Sequence, residues 1–490
     1  MKKVSRMLIS WAMVAVVWLA LGTAASAQTN QYIFLISNDL GMHCMNRDHA
    51  ILSVLPPYNT FQAQVIRVGD ADNLPLVTTE GLQLEYRFPG NTYSVGKTDF
   101  WTHAEALFGV ALEDNVGLTG KTLDDVFDVH GDLFVAEGIP LTPFNDDAPT
   151  VEVPYQVAEV ILRDSEGLEL ARAYPVAPVS VEMSCVSTGC HSSETSILNA
   201  HEDEDGFDPT ATPILCAQCH GSTPLTGPSP GSAGWFSRRI HDKHDFMDET
   251  IGGLAACQKC HPGPNTRCLR GTMGNDFGMI CQDCHGDMGQ VASSIENGRI
   301  PWVDEPACGT CHTSTYGEPA GVLYRNARGH GGVLCSACHN SPHAIFPSRE
   351  AVDNQVMMDL QGHAGTLSDC RVCHGVNPSG PGPHGVMAVS AVEEEIVGNY
   401  PGLKVFPSPA TAGSGCTIMA GPSRQSDGRL MVFNVKGQTV RMMRTDRADQ
   451  DVSLRWDGRD AKGRPVSSGV YFLRYQSGDV QATAKVVMVD

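Results

Sequence analysis

Apolar positions in the first third of the chain fall in short runs of strand length. Residues 31–37 (QYIFLIS), 60–68 (TFQAQVIRV) and 82–88 (LQLEYRF) are continuous or alternating apolar runs. Residues 157–162 and 168–173 flank Asp164, Ser165, Glu166 and Gly167, a hairpin-turn signature. This pattern predicts a β-rich N-terminal domain over 28–182. Alternation returns near the C-terminus. Tyr471, Leu473 and Tyr475 point one way, and Val480, Ala482, Ala484, Val486 and Met488 line one face of a last strand. Ser477-Gly478-Asp479 is the turn between them, with earlier turns at Asp457-Gly458 and Lys462-Gly463. A C-terminal domain of β-sandwich type is therefore expected over 400–490. It follows a linker that contains the acidic residues 393–395 and Asn399-Tyr400-Pro401-Gly402. The middle, 183–390, shows neither period. Its Gly/Pro-rich stretches at 221–231 and 378–383 predict irregular coil with short helices.

The first 27 residues stand apart. Lys2, Lys3 and Arg6 precede an apolar run from Met7 to Gly22, and Ala25-Ser26-Ala27 fits a processing site. The segment reads as a cleaved signal peptide, with an uncleaved anchor as the alternative. No later stretch is apolar enough to span a membrane, so the mature chain is expected in an oxidising exported compartment, periplasm or cell surface.

The 490 residues include 55 Asp+Glu against 34 Lys+Arg, a formal net charge of −21. This excludes a general nucleic-acid binder, which needs a basic face. Seventeen Cys and 18 His are the unusual counts, and their spacing decides what they do.

Six copies of C-x-x-C-H occur: Cys216/Cys219/His220, Cys257/Cys260/His261, Cys281/Cys284/His285, Cys308/Cys311/His312, Cys335/Cys338/His339 and Cys370/Cys373/His374. A wider C-x4-C-H copy is Cys185/Cys190/His191. Each reads as an attachment site for haem c, seven in all. Two thiols add to the vinyl groups on one edge of a porphyrin, and the adjacent His ligates iron. Zinc sites also use Cys and His, but they match Cys pairs with further pairs at set distances.

The same segment holds seven further histidines, His201, His241, His244, His330, His343, His363 and His384. One spare His per motif is what seven bis-histidine haems require, though the count leaves the pairing open. Met247, Met273, Met279 and Met288 are competing ligands or plain packing residues. About 200 residues around seven macrocycles leave little chain for a conventional core, so the haems themselves must form much of it.

The seven motifs, with phrases such as CSACHNSPHAIFPS (335–348) and GHAGTLSDCRVCHG (362–375), resemble multihaem c-type cytochromes of bacterial envelopes and extracellular respiration. The resemblance implies electron transfer through stacked bis-His haems, with redox proteins or extracellular acceptors as partners. It implies a carrier rather than an enzyme, because no C-x-x-C-K motif marks an open haem. The alternatives are a multihaem oxidoreductase of small nitrogen or sulfur oxyanions, and a subunit of a cytochrome filament, a homo-polymer.

In the N-terminal domain, His43, Cys44 and Met45, followed by His49, could form a soft copper site. They could instead lend a haem ligand, or be a plain turn with Cys44 buried or in a disulfide. His103 and His130 read as ordinary residues. In the C-terminal domain, VFPSPA (405–410), VFNVKGQTV (432–440) and WDGRDAKGRPVSSGVYFLRY (456–475) resemble the FlgD-like immunoglobulin fold, including type IX secretion sorting domains. That resemblance implies a sorting module for the cell surface, or a spacer or docking module. Cys44, Cys268 and Cys416 lie outside the motifs, with no pairing deducible from sequence. The expected fold class is multidomain: a β-rich N-terminal domain, a heptahaem domain of coil and short helices over 183–390, and an immunoglobulin-like C-terminal β-sandwich.

Overall fold

The computed structural model describes residues 31–183, 185–187, 189–201, 206–263, 265–385, 403–406, 410–411, 415–420, 428–434, 439–445, 452–467, 469–477 and 480–489. The signal-peptide reading (1–27) and the linker residues 393–395 and 399–402 lie outside these, as does part of the turn at 477–479. The chain divides into two compact units, residues 1–389 and 390–490. Sheets dominate both, and most are antiparallel. Among the described residues no helix is long and apolar enough to cross a membrane.

In the first unit, Tyr32–Asn38 pairs antiparallel with Asn59–Arg67, which pairs in turn with Leu133–Ile139. A second sheet orders Glu169–Ala173, Glu159–Asp164, Leu82–Arg87 and Asp124–Val126. The hairpin at 164–167 forms as its residues suggest. The Asp164 carboxylate accepts from the backbone N–H groups of Glu166 and Leu168, and Gly167 takes φ +83°. Phe34, Phe61, Val65 and Phe134 of the first sheet share a core with Leu84, Tyr86, Val160 and Leu162 of the second.

The strand Tyr32–Asn38 is buried on both faces, which is why its sequence is continuously apolar rather than alternating. Phe34 and Ile36 face the two-sheet core. Ile33 and Leu35 pack instead with Leu334, Ala337, Val372 and Cys373 of the Cys/His-rich segment. Polar contacts reinforce this join. Gln64 accepts from the Leu334 N–H at 2.8 Å and donates to the Gly332 carbonyl at 3.2 Å. Tyr155 donates to the Thr266 carbonyl at 2.7 Å, and Leu52–Ser53 pairs parallel with Ile214–Leu215. The β-rich and Cys/His-rich segments thus belong to one unit.

Among its described residues, the Cys/His-rich segment consists of short helices joined by turns, none longer than the nine residues of Phe236–His244 and Met288–Glu296. The second unit has a sheet of Lys404–Phe406, Cys416–Ala420 and Val452–Trp456, and a five-stranded sheet closed by the hairpin Gly469–Ser477/Val480–Val489. The two sheets share a core of Ile418, Trp456, Leu430, Tyr471, Leu473, Tyr475, Val486 and Met488.

Candidate functional site

Each Cys/His motif folds as a tight turn. The His220 N–H donates to the Cys216 carbonyl at 3.0 Å, and the His261, His312 and His374 N–H groups donate to Cys257, Cys308 and Cys370 at 2.9 Å. Cys281–His285 and Cys335–His339 are complete helical turns. In the wider copy the His191 N–H still donates to the Cys185 carbonyl, at 3.1 Å. Its two extra residues loop out, and the link between first cysteine and histidine is kept.

The motif thiols differ in exposure. Cys185, Cys190, Cys219, Cys284 and Cys311 are exposed. Cys216, Cys257, Cys260, Cys281, Cys308, Cys335, Cys338, Cys370 and Cys373 are half-buried. Four of the five exposed thiols are the second cysteine of their motif. Cys219 and Cys284 end a single turn with no further turn of helix after it, whereas Cys311 opens the helix Gly309–Tyr316. Cys373 differs because it packs against the Ile33 and Leu35 cluster. An outward thiol is still open to a vinyl group at the edge of a porphyrin, so exposure is compatible with covalent attachment.

Six of the seven motif histidines face a histidine from outside the motifs. Ring centroids are 6.1 Å apart for His191/His244, 6.4 Å for His220/His201, 6.1 Å for His261/His241 and 6.3 Å for His285/His343. For His339/His384 and His374/His330 they are 6.1 Å apart. Interplanar angles run from 20° to 70° while the spacing hardly changes. Direct ring packing allows centroid distances of about 4.5–7 Å. A metal between two imidazoles fixes the distance, leaves rotation free, and with bonds of about 2 Å puts the centroids about 6 Å apart. His312 and His363 are the two left over, and among the described residues neither makes a ring contact.

The facing rings are also oriented. His241 Nδ1 lies 2.7 Å from the Ser237 carbonyl, His244 Nδ1 2.7 Å from that of Ile240, and His201 Nδ1 3.3 Å from that of Ile197. In each case a histidine reaches back one helical turn. His343 Nδ1 is 3.0 Å from the Leu40 carbonyl, and His363 Nδ1 is 3.1 Å from that of Ala364. With Nδ1–H given to a carbonyl, Nε2 keeps its lone pair for a metal, the usual outer-shell arrangement of a ligating histidine.

A ligating imidazole must also be neutral. Burial holds His261 and His285 down to about 4, and burial lowers His241 as well. His343 departs from this. The neighbouring Cys268 thiolate, to which it is hydrogen-bonded, raises it to about 9, so binding iron there requires loss of that proton. Among the described residues no three His, Cys, Asp or Glu side chains converge as a metal-binding cluster. The donor sets are opposed pairs beside two thiols, which fits axial ligation of a covalently attached haem.

The His43/Cys44/Met45 phrase is placed differently. His43 Nε2 pairs with Asp39 at 2.8 Å, and Met45 is fully buried in the two-sheet core. His49 bonds Ser53 at 2.9 Å, and burial lowers it to about 4. The phrase reaches the site through backbone instead, since Leu40 O orients His343 and Gly41 O accepts from Arg270 at 2.5 Å. His103 lies 3.4 Å from Asp99, and His130 is exposed. Cys44 lies near Cys268, and Cys416 is buried in the second unit. Met247 and Met288 pack with Ala256 in a small core cluster.

Sequence reasoning did not find Arg270. It is buried with Asp353, to which it donates at 2.6 and 2.9 Å.

No family model matches the chain, and no curated protein matches it. Solved structures give weak likenesses over small portions. PorZ, a surface component of the type-IX secretion system of Porphyromonas gingivalis, matches at 19% identity over 18% of this chain and 12% of its own, with a TM-score of 0.15. FlgD from Xanthomonas campestris matches at 21% over 16% of this chain and 63% of its own, with a TM-score of 0.14. FlgD from P. aeruginosa matches at 27% over 14% and 57%, with a TM-score of 0.12. The chain thus spans under two thirds of the length of each.

Proposed function

We propose that this chain is an exported heptahaem c-type cytochrome that carries electrons between redox partners, including extracellular acceptors. The observation that carries the reading is the set of six opposed histidine pairs at 6.1–6.4 Å, each joining a motif histidine to a non-motif one. Bound haem iron supplies one-electron redox chemistry. The chain's own residues do the rest. Paired thiols anchor the macrocycle, among them half-buried Cys335 and Cys338 and the outward Cys190 and Cys219. The facing imidazole pairs would hold the iron, and carbonyls such as Ser237 O fix the rings. With both histidines of a pair engaged, no position would be left for substrate at the metal, which favours a carrier over a catalyst. His312 and His363 are the remaining pair for the seventh haem.

The second unit, with two sheets around one core and the phrases at 405–410, 432–440 and 456–475, serves in this reading as an immunoglobulin-like module for sorting or docking at the cell surface.

The test is the intact mass of protein expressed with a haem-attachment system. Seven covalent haems are expected, and six in Cys216→Ala/Cys219→Ala. Unmodified polypeptide from such a host contradicts the proposal.

A further inference from the structure

The two units differ in charge. Residues 1–389 hold 44 Asp+Glu against 21 Lys+Arg, whereas residues 390–490 hold 11 against 13. Within the second unit the cations are concentrated. The strands Gly428–Asn434, Thr439–Thr445, Gly469–Ser477 and Val480–Val489 contain Arg429, Arg441, Arg444, Arg474 and Lys485, and no Asp or Glu.

These strands belong to one sheet, whose inner face includes Leu430, Val432, Met443, Leu473 and Tyr475. Successive residues of a strand point to opposite faces, so the residues between them belong to the outer face. The pairing register sets these in rows across the sheet. Arg444, Arg429 and Gln476 lie side by side in one row, Met442, Met431 and Arg474 in the next, and Phe433 and Phe472 in a third. Arg429 and Arg444 are exposed, as are Phe472 and Met442, at 44% and 45%.

Folding alone does not call for such a face. Like charges directly opposite on paired strands repel, and Arg429 stands directly opposite Arg444. Among the described residues no carboxylate pairs with Arg429, Arg444 or Arg474. The Arg474 guanidinium lies 5.1 Å from the Phe433 ring centre, and its Nε is buried without a hydrogen-bond partner. A groove of about 380 Å³ runs beside it, lined by Phe433, Phe472, Leu473, Arg474 and Ala484. Guanidinium groups match phosphate oxygens, and exposed Phe and Met side chains gain by leaving water. A face that carries both in adjacent rows fits a surface that presents phosphates above hydrocarbon. An acidic protein surface would satisfy the arginines but not the two apolar rows.

We propose that the outer face of the five-stranded sheet docks on an anionic phospholipid surface. Arg429, Arg444 and Arg474 meet the phosphates, and Phe472 and Met442 enter the acyl boundary. This names the partner for the docking reading of the second unit, on which it rests, and is independent of the haem reading.

Co-sedimentation of the full-length holoprotein with lipid vesicles tests this. Binding is expected to vesicles of mixed phosphatidylglycerol and phosphatidylcholine, weakening with added salt, and not to phosphatidylcholine alone. An arginine beside an anionic bilayer strengthens binding about fivefold, so Arg429→Gln/Arg444→Gln/Arg474→Gln should weaken it about a hundredfold with an unchanged thermal midpoint. Phe472→Ser should weaken it without changing the salt dependence. Equal binding by the triple variant, or equal binding to both kinds of vesicle, overturns the proposal. Binding to neither also overturns it. Self-association that the triple variant abolishes would then make a second copy the occupant and leave the docking reading standing, whereas neither vesicle binding nor self-association counts against the docking reading as well.

Discussion

Replacing Arg270 with methionine removes one side of an ion pair that is almost fully out of water, with Arg270 1% and Asp353 2% exposed. The guanidinium meets the carboxylate through two bonds of 2.6 and 2.9 Å, caps the Gly41 carbonyl at 2.5 Å and lies 5.0 Å from the Tyr155 ring centre. In Arg270→Met the Asp353 carboxylate stays buried with the Ser348 hydroxyl, at 2.5 Å, still donating to it. Breaking a buried pair costs about 3–5 kcal/mol. The surviving Ser348 bond puts this case near the lower end, about 3 kcal/mol, which is roughly a hundredfold in the folding equilibrium. The assay is chemical unfolding of the holoprotein followed by far-UV circular dichroism. The double variant Arg270→Met/Asp353→Leu removes the orphaned charge and should recover most of the loss, because apolar replacement of a whole buried pair is often neutral or better. An Arg270→Met variant within about 1 kcal/mol of wild type would refute the reasoning. So would a double variant less stable than the single one.

The same join between segments can be probed at Gly41 and Glu182. Gly41 has φ +81°, and a Cβ there would sit 2.7 Å from Ser341 Oγ, so Gly41→Ala should cost about 1–2 kcal/mol from backbone strain alone. Because Leu40 O holds His343, the same variant should perturb the electron paramagnetic resonance signature of one haem in seven, and an unaltered spectrum contradicts that link. Burial pushes the Glu182 carboxyl up, but donors from Thr266, Gly263 and Asn265 outweigh it and hold the group below its ordinary 4.5. Ionised Glu182 therefore stabilises the fold above about pH 4.5, and that contribution is lost as pH falls through its lower folded value. Glu182→Gln should be less stable than wild type at pH 7, with a gap that narrows below pH 4.5, as read from thermal midpoints across pH. A gap that widens on acidification contradicts this.

The sequence carries the chemistry of this chain more openly than its geometry. Covalent attachment needs two thiols and a histidine in local register, so the motifs are readable from spacing, and even the wide copy closes with the same Cys185–His191 bond. Spacing does not say which thiols face outward. Cys219 is exposed and Cys373 is half-buried in identical C-x-x-C-H frames, because a strand from another segment covers only the latter. The facing histidines are tertiary as well. His343 reaches His285, and His244 reaches back to His191, past nearer motif histidines in each case. No local periodicity records such pairings. Strand positions at 31–37 and 60–68 are legible because burial imposes apolar residues. That Ile33 and Leu35 pack against a Cys/His-rich segment 300 residues on in the chain is not legible, since a strand buried on both faces looks the same whatever covers it. The phrase at 39–45 draws the eye through its His, Cys and Met. Its contacts with the site run through the carbonyls of Leu40 and Gly41, which side-chain identity does not reveal. Arg270 was hidden for a related reason, because nothing local marks an arginine whose partner lies on another segment.

The most direct measurement is the absorption spectrum of the dithionite-reduced holoprotein before and after carbon monoxide is added. Seven irons each closed by two imidazoles predict an unchanged low-spin spectrum. A carbon monoxide-shifted fraction near one haem in seven would contradict the closed-carrier account, and would direct the search for an open iron to His312.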